Sequence, residues 1–347
     1  MLAGGPVGGA ETYAQDAIAG LAGLGVTQHV ICRPHPLPMA RFAHAGVPTT
    51  AYGFSRLQQA VSGSRAVDRL IEAFQPDLLH GWMCRAMEFI PARVAAPVVG
   101  WFGGYYDLKY YRHADAFVGV TDEIIQNVVA NGAPAERSFV VHTFGTLPDA
   151  EPVSRADFDT PQGAPVVLVL SRMHWKKGID TILRAIASLP GVYLWLAGDG
   201  PDLESYRALS TKLGLDDRVR FLGWRTDRQA LLEACDVCAL PSRYEPFGTV
   251  IPEAWSMRRP LVATRAAGAS QYVRDGESGL LCEIDDIDAL ARALQSALND
   301  PEVRARIIAG GERVYASAFS RDVALGSLLS AYAQIRAMGK RSPKRAA

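Results

Sequence analysis

Cysteine is scarce in this 347-residue sequence, with five residues at positions 32, 84, 235, 238 and 282. An odd number without framework spacing argues against a disulfide scaffold and is typical of a reducing compartment. Cys235 and Cys238 have the CxxC form, but they lead into an apparent buried strand and no second pair completes a metal site. We expect neither a zinc site nor a redox centre there.

The sequence has no charge of one sign in excess, because its 36 lysines and arginines balance 36 aspartates and glutamates. Without a global field we expect no nucleic-acid partner. No apolar run approaches the ~18–20 residues of a membrane span, and the start, MLAGGPVGGAE, lacks the features of a signal peptide. We expect a cytoplasmic protein. The basic end KRSPKRAA (340–347) predicts a solvated tail, with weak peripheral contact at the inner face of the plasma membrane left open.

Short apolar runs alternate with amphipathic segments along the whole chain. Predicted strands of a first series lie at 28–32, 77–82, 97–102, 116–120 and 138–142, with helices at 56–74 and 121–132. Those of a second series lie at 166–171, 192–198, 218–223, 236–242, 259–264 and 278–283, followed by helices at about 286–298, 301–316 and 320–337. This alternation predicts parallel sheets with helices on both faces.

The length predicts two such doubly wound domains. We expect domains at 1–146 and 166–319, and a polar linker at 147–165. Ligands of open parallel sheets bind at the carboxyl ends of the strands, so two facing sheets would make a cleft. Asp157 and Asp159 imitate the DxD of metal-dependent sugar transferases, but their place in the linker predicts solvated surface.

Three glycine-containing loops carry candidate binding residues, and two of them follow predicted strands. Gly8 and Gly9 precede a helix expected to start near Ala10, where an anion could meet unpaired N–H groups; a glycine turn required by packing is the alternative. In SRMHWKKGIDTIL (171–183), Arg172 and Lys177 suit a pyrophosphate that gains negative charge on leaving, with ordinary surface charge as the alternative. Gly198, in LAGDGP, would let the backbone approach a nucleotide.

The stretch SRYEPFGTVIPEA (242–254) holds two glutamates eight positions apart. Gly248 is expected to begin a helix whose N–H groups meet a phosphate and sugar hydroxyls. Glu245, before that helix, could accept hydrogen bonds from the hydroxyls of a bound sugar, and Glu253, two turns into it, those of a ribose. A carboxylate favoured by the helix dipole and a surface glutamate are the alternatives.

These motifs together resemble the retaining family-4 glycosyltransferases of the GT-B fold. The resemblance rests on Glu245-x7-Glu253 with its EPFG opening after LPSRY, on SRMHWKKGID and on GGAE near the start. It covers nearly the whole chain and is strongest from 165 to 285. It implies a nucleotide-diphosphate-sugar donor and no metal or other cofactor. It also implies that the final helix, within 320–347, crosses back onto the N-terminal domain.

The resemblance further implies a role for each motif residue. Arg172 and Lys177 would bind the donor diphosphate and stabilise its departure, and Glu245 would hold the donor sugar. Glu253 would bind the ribose. The resemblance also implies that the Trp224 side chain borders the base. The remaining donor contacts would come from the backbone of Phe247, Gly248, Thr249, Gly8 and Gly9.

Two departures from the family pattern affect the first domain. Only MLA precedes the glycine loop, so we expect the first sheet to lack a full first strand. Phe102 stands where relatives often have histidine. His80, in DLLHGW, is the remaining catalytic candidate, with a structural role as the alternative. The aromatic stretch 101–115 would line the acceptor side or pack in the core.

The leading hypothesis is a transferase that moves a sugar to a glycan or lipid-linked acceptor with retention. A looser resemblance is to bacterial enzymes of surface-polysaccharide or lipopolysaccharide assembly. The alternatives are a nucleotide-sugar-binding protein that has lost catalysis and a GT-B-like nucleotide-sugar 2-epimerase.

Overall fold

The computed structural model describes residues 1–5, 8–55, 65–145, 147 and 149–341. The chain divides into two compact units. Unit 1 comprises Met1–Thr143 together with Arg321–Ala347, and unit 2 comprises Phe144–Ser320. Among the described residues, no helix combines the length and apolar character needed to cross a membrane.

The described residues of unit 1 form six short parallel strands: β1 (Val30–Cys32), β2 (Thr49–Ala51), β3 (Leu79–Trp82), β4 (Val98–Phe102), β5 (Ala116–Gly119) and β6 (Ser138–Val140). They pair as β1-β2 and as β3-β4-β5-β6. Leu2 lies between the two groups, with parallel bridges to Cys32 of β1 and to Trp82 of β3. As expected, the described part of unit 1 has no full first strand, and the single residue Leu2 joins the two groups of strands.

The described helices of unit 1 are α1 (Gly9–Gly23), α2 (Pro36–His44), α3 (Arg65–Phe74), α4 (Met83–Glu88), α5 (Asp122–Ala130) and the final α13 (Arg321–Met338). Helix α3 is the described part of the helix predicted at 56–74, whose residues 56–64 lie outside the described part. Helix α13 packs on α1, where a Cβ at Gly20 would lie 2.6 Å from the Leu325 side chain. The predicted return of the final helix to the first unit is confirmed.

The described end of the basic tail is bound to unit 1. The ammonium of Lys340 donates to the carbonyl of Val94 at 2.8 Å, and the backbone N–H of Arg341 donates to Asp115 at 2.8 Å. Residues 342–347, on which the membrane alternative depends, lie outside the described part.

Unit 2 contains the second strand series: β7 (Val166–Leu170), β8 (Tyr193–Ala197), β9 (Val219–Gly223), β10 (Val237–Leu240), β11 (Leu261–Thr264) and β12 (Leu280–Cys282). Each lies within its predicted run. The sheet is parallel with the order β12-β11-β10-β7-β8-β9. Strands β7, β10 and β11 are buried at every position, because helices cover both faces.

The α-helices of unit 2 are α6 (Ile179–Ala187), α7 (Leu203–Lys212), α8 (Arg228–Ala234), α9 (Val250–Ser256), α10 (Ala267–Tyr272), α11 (Ile287–Asn299) and α12 (Pro301–Val314). A core of Val, Leu, Ile and Ala side chains from the strands, α6 and α11 joins the layers. Each unit is thus a doubly wound α/β sheet, as predicted.

The described residues of the predicted linker pack on unit 2. The Arg155 guanidinium holds both carboxylate oxygens of Asp236 at 2.9 and 3.0 Å. Asp157 caps a short 3₁₀ turn by accepting from the backbone N–H of Ser154, so one carboxylate of the DxD imitation has a structural role.

Candidate active site

The candidate site lies where the strand order of unit 2 reverses. Strand β7 is central, the chain adds β8 and β9 on one side of it, and β10 to β12 follow on the other. The loops after β7 and β10 therefore leave the sheet in opposite directions, and the crevice between them is the usual ligand site of such sheets. The first loop carries Arg172 and Lys177, and the second carries Glu245.

Lys177 and Glu245 join these two loops directly. The Lys177 ammonium lies 2.5 Å from Glu245 Oε2, and Ser242 Oγ donates to the same oxygen at 3.3 Å. Their side chains are 24% and 13% exposed, so the pair is largely shielded from water. The arrangement places an ammonium that an anionic ligand could reach beside a carboxylate that can accept hydroxyl hydrogen bonds.

Arg172 is the free cation of the crevice. It directly follows the β7 strand end, its side chain is exposed, and it makes no hydrogen bond or ion pair with any residue that the structure describes. An exposed guanidinium without a protein partner keeps its bidentate donor face for a ligand anion.

Arg243 fixes the position of the second loop. Its guanidinium holds Asp180 at 2.8 and 2.7 Å, donates to Asp285 at 3.0 Å and to the Trp175 carbonyl at 2.7 Å. Burial opposes ionisation of Asp180, but hydrogen bonds from Arg243 outweigh it and lower the pKa of Asp180. Arg243 thus connects the loop after β10 to the loops after β7 and β12, and so fixes the loops that carry Lys177 and Glu245.

Two glycines allow the loops to approach at backbone distance. Gly178 has φ +62°, between Lys177 and α6, and a Cβ there would collide with the Pro241 carbonyl. Gly198 has φ +153°, and its Cβ would collide with the Ser171 carbonyl. The structure thus gives Gly198 a packing role, and its contact with a nucleotide stays a prediction.

The helix after the EPFG stretch starts later than predicted. Gly248 has φ +84°, a conformation that continues no helix, and Thr249 is the cap of α9. Glu253 therefore lies in the first turn of the helix, and the placement two turns into it was wrong. Phe247 is buried, and the Gly268 N–H donates to the Glu245 carbonyl at 2.8 Å, which holds the loop against α10.

Glu253 is almost completely buried, with 1% of its surface exposed, so the surface alternative for this residue was wrong. Arg228, at the start of α8, lies 2.5 Å from Glu253 Oε1. Oε2 accepts no hydrogen bond from the described residues. Burial raises the pKa of Glu253 to about 7, against the opposing effect of Arg228.

The six tryptophans divide sharply by exposure. Trp224, directly after β9, is 62% exposed and Trp175, in the loop after β7, is 56% exposed. The other four are buried: Trp82, Trp101, Trp195 and Trp255. An exposed indole at the β9 end is available to a nucleobase, and its role beside the base stays a prediction.

The glycine loop of unit 1 starts α1, as predicted, at Gly9. Gly8 has φ +154°, and the carboxylate of Glu11 folds over this loop, 3.4 Å from the backbone N–H of Gly5. Glu11 thus lies at the helix N-terminus that an anion would need. Diphosphate binding by Gly8 and Gly9 stays a prediction.

His80 is placed inside unit 1, in the middle of β3. Its Nδ1 lies 2.5 Å from the Tyr332 hydroxyl of α13, and its ring stacks on Trp82 at 4.1 Å. Burial lowers the pKa of His80 well below its usual range, so the ring is neutral at pH 7. These contacts fit the structural alternative for His80.

The aromatic stretch 101–115 lies partly in the core and partly at the surface. Phe102 is fully buried and stacks on Tyr111 at 4.0 Å, and the Tyr111 hydroxyl donates to the Trp101 carbonyl at 2.9 Å. Tyr105 and Tyr110 alone among its aromatic residues are noticeably exposed, at 37% and 36%. These two rings are the most accessible aromatic side chains of the stretch for an acceptor contact.

The sequence analysis missed two arginines of the site, Arg228 and Arg243. Both form ion pairs with carboxylates more than twenty positions away, which no local pattern indicates. In the described ranges, no three His, Cys, Asp or Glu residues gather as a metal site.

The comparisons with known proteins now decide the family. The family models described as "Glycosyl transferases group 1" and "Glycosyltransferase Family 4" match residues 151–314 and 7–144. The lipopolysaccharide core biosynthesis glycosyltransferase LpsE of Rhizobium meliloti (strain 1021) is 34% identical over 95% of this chain and 96% of its own length. The chain belongs to the group 1 glycosyltransferases. It is therefore an enzyme, and the binding-protein and epimerase alternatives were wrong.

Further relatives of this glycosyltransferase fit the same family. LpsD of the same organism is 33% identical over 91% of this chain and 92% of its own. Among solved structures, Anabaena HepE in complex with UDP has a TM-score of 0.83 at 21% identity and covers 96% of this chain and 98% of that chain. At this identity the likeness shows the fold alone, and it confirms the GT-B class of two Rossmann-like domains.

Proposed function

We propose that this glycosyltransferase moves a sugar from a nucleoside-diphosphate-sugar to a glycan or lipid-linked acceptor of the lipopolysaccharide core, with retention of anomeric configuration. The Lys177–Glu245 pair at the switch point of unit 2, with Arg172 unpaired beside the same strand end, carries the proposal. The names of LpsE and LpsD support the acceptor class, and the UDP bound to HepE supports the donor class.

Each site residue has a part in this proposal. Arg172 and Lys177 bind the diphosphate, and their positive charge stabilises the negative charge that develops on it as the glycosidic bond breaks. Glu245 accepts hydrogen bonds from the transferred sugar, and Glu253 from the ribose. Trp224 borders the base, and the backbone of Phe247, Gly248 and Thr249 supports the sugar and the distal phosphate. A metal-free, cytoplasmic reaction is part of the proposal.

The acceptor proton needs a base within roughly 2.6–3.2 Å or through one water. Phe102 supplies none, and the half-buried His80 is bound to Tyr332 through Nδ1 and is held neutral by its lowered pKa. In a same-face transfer the leaving diphosphate oxygen can itself take the proton: the acceptor oxygen bonds to the anomeric carbon as the carbon–phosphate oxygen bond breaks. The protein then contributes the charges that hold the diphosphate in place.

The test is the stereochemistry of transfer. Purified enzyme is supplied with UDP-, GDP- and ADP-sugars of α configuration and with a truncated lipopolysaccharide core as acceptor. We expect one donor to be consumed and an α-linked product, identified by its anomeric coupling constant in NMR. A β-linked product would exclude the retaining mechanism, and donor consumption without attachment to the core would exclude the acceptor class.

A further inference from the structure

Glu253 combines three features that a structural ion pair does not require. It is buried at the start of α9, one of its oxygens is held by Arg228, and the other accepts nothing from the described residues. An unsatisfied buried carboxylate oxygen costs free energy, and such groups in folded proteins commonly have a functional reason. This oxygen is therefore ready for a donor that arrives with a ligand.

The surrounding residues restrict the position of the Glu253 side chain. A Cβ at Gly145 would lie 2.5 Å from Glu253 Cγ, so only glycine leaves room for the side chain where it is. The pairing with Arg228 fixes Oε1 at 2.5 Å. With one oxygen held and the stem confined by Gly145, the direction of Oε2 is determined.

We propose that Arg228 is the positioning residue of the donor site: it favours the ionised form of Glu253 and holds the carboxylate so that Oε2 accepts the hydrogen bonds of the ribose hydroxyls. The inference rests on the proposed function, because it needs a ribonucleotide donor. A carboxylate accepts from both hydroxyls of a vicinal diol, whereas a protonated carboxyl has a donor in place of one acceptor. Arg228 would thus select ribose-bearing ligands without touching them.

The surrounding charges favour this assignment. Among the described residues, the ionisable groups that act on Glu253 are the Arg228 guanidinium and, on β10, the buried Cys238 thiol. Burial raises the pKa of Cys238 well above its usual range, so this thiol stays neutral. Burial raises the pKa of Glu253 to about 7, and Arg228 acts in the opposite direction. Within the described part of the chain, Arg228 is thus the charge that favours ionisation of Glu253.

The experiment compares Arg228→Met with the unchanged enzyme by calorimetry. The probes are UDP, GDP and ADP, and then the 2′,3′-dideoxy analogue of whichever binds most tightly. Removing an opposite charge shifts a carboxyl pKa by roughly 1–3 units. We therefore expect R228M to bind the ribonucleotide about tenfold more weakly at pH 7 and to recover towards pH 9. At each pH, the ratio between the dissociation constants of R228M and of the unchanged enzyme for the same ligand cancels the titration of the ligand itself.

The controls separate positioning from folding. The dideoxy analogue should bind R228M and the unchanged enzyme equally, and Arg228→Lys should restore most of the ribonucleotide affinity. Arg258→Met removes a charge at the other end of α9, where Arg258 pairs with Glu312, and should change nothing. If R228M does not fold, Arg228→Gln takes its place, because glutamine also removes the charge but keeps a polar side chain.

Two results would overturn the inference alone. One is ribonucleotide affinity in R228M equal to that of the unchanged enzyme at pH 7. The other is an equal loss for the ribonucleotide and its dideoxy analogue, which would indicate general damage. If the unchanged enzyme binds none of the three nucleoside diphosphates, the proposed function and this inference both fail.

Discussion

At the scale of single residues, two groups would compete for the Lys177 ammonium: the Glu245 carboxylate and a bound diphosphate. The Lys177 ammonium is paired with Glu245 at 2.5 Å. A diphosphate would share the same ammonium, and the leaving group's growing charge would draw it further from the carboxylate. The free Arg172 then supplies the charge that Lys177 alone would lack.

Lys177→Ala should lower turnover by roughly 10²–10³, the usual loss on removing one preorganised group that stabilises developing charge. Lys176→Ala is the matched control, since Lys176 is the neighbouring lysine and its ammonium lies 4.7 Å from the Tyr244 ring centre. Steady-state transfer with the identified donor measures both. Equal losses in the two variants, or none in either, would remove Lys177 from the mechanism.

Glu253 should make the enzyme less stable as the pH rises. Its pKa is raised from 4.5 to about 7 by burial. Protonated Glu253 therefore makes its full contribution to the free energy of unfolding below about pH 4.5. This contribution is lost as the pH rises through about 7. Glu253→Gln should gain on the order of 1–3 kcal/mol relative to the unchanged enzyme between pH 5 and pH 8.

Urea unfolding at the two pH values measures this gain. The exposed Glu312, changed to Gln, is the control and should show no such pH dependence. A gain of equal size at pH 5 and pH 8 would mean that ionisation of Glu253 costs the fold nothing. The same variant should lose ribonucleotide binding, so stability and function would change in opposite directions.

At the scale of elements, the loop between β7 and α6 depends on one glycine. Gly178 has φ +62°, which costs an L-residue roughly 1–3 kcal/mol, and its Cβ would also collide with the Pro241 carbonyl. Gly178→Ala should therefore destabilise the protein and separate Lys177 from Glu245, with loss of transfer.

Gly191→Ala separates the cost of a positive φ from the effect of a collision with a neighbouring carbonyl. Gly191 has φ +78°, but a Cβ there would meet no atom within 4 Å. It should show the loss of stability from strain, measured by thermal unfolding, and keep its activity. If both variants lose activity equally, displacement from Pro241 is not the reason.

Which elements the sequence predicts depends on how apolar and how long they are. The strands of unit 2 were predictable because each is a mainly apolar run between helical segments, and β7, β10 and β11 are buried at every position. Strand β2 (Thr49–Ala51) was missed, since it is short, rich in threonine and partly exposed. Helix α2 was missed because two prolines open it, at Pro36 and Pro38, where a first helical turn tolerates them.

The site divides in the same way. Motif residues that share a loop, such as Arg172 and Lys177, were predictable from their position after a strand. The Arg228–Glu253 and Arg243–Asp180 pairs were not, because they join distant segments and depend on the strand order. The late start of α9 also escaped, since the positive φ of Gly248 is a property of the folded loop.

At the scale of the whole molecule, the chain order and the spatial order differ. Helix α13 follows unit 2 in sequence but belongs to unit 1, where Tyr332 contacts His80 and Leu325 packs over Gly20. Leu2, a single residue, joins the two strand groups of that unit. The alternating pattern predicts two doubly wound units, but only the family resemblance predicted the return of the last helix.

The division of the six tryptophans has an optical consequence. Trp175 and Trp224 are the exposed indoles, and both lie in unit 2, on loops that follow β7 and β9. Red-shifted emission and quenching by iodide therefore arise from these loops alone, while the four buried indoles form a constant background. A ligand that covers either loop changes the accessible part of the fluorescence, so the enzyme carries its own label-free reporter of donor binding.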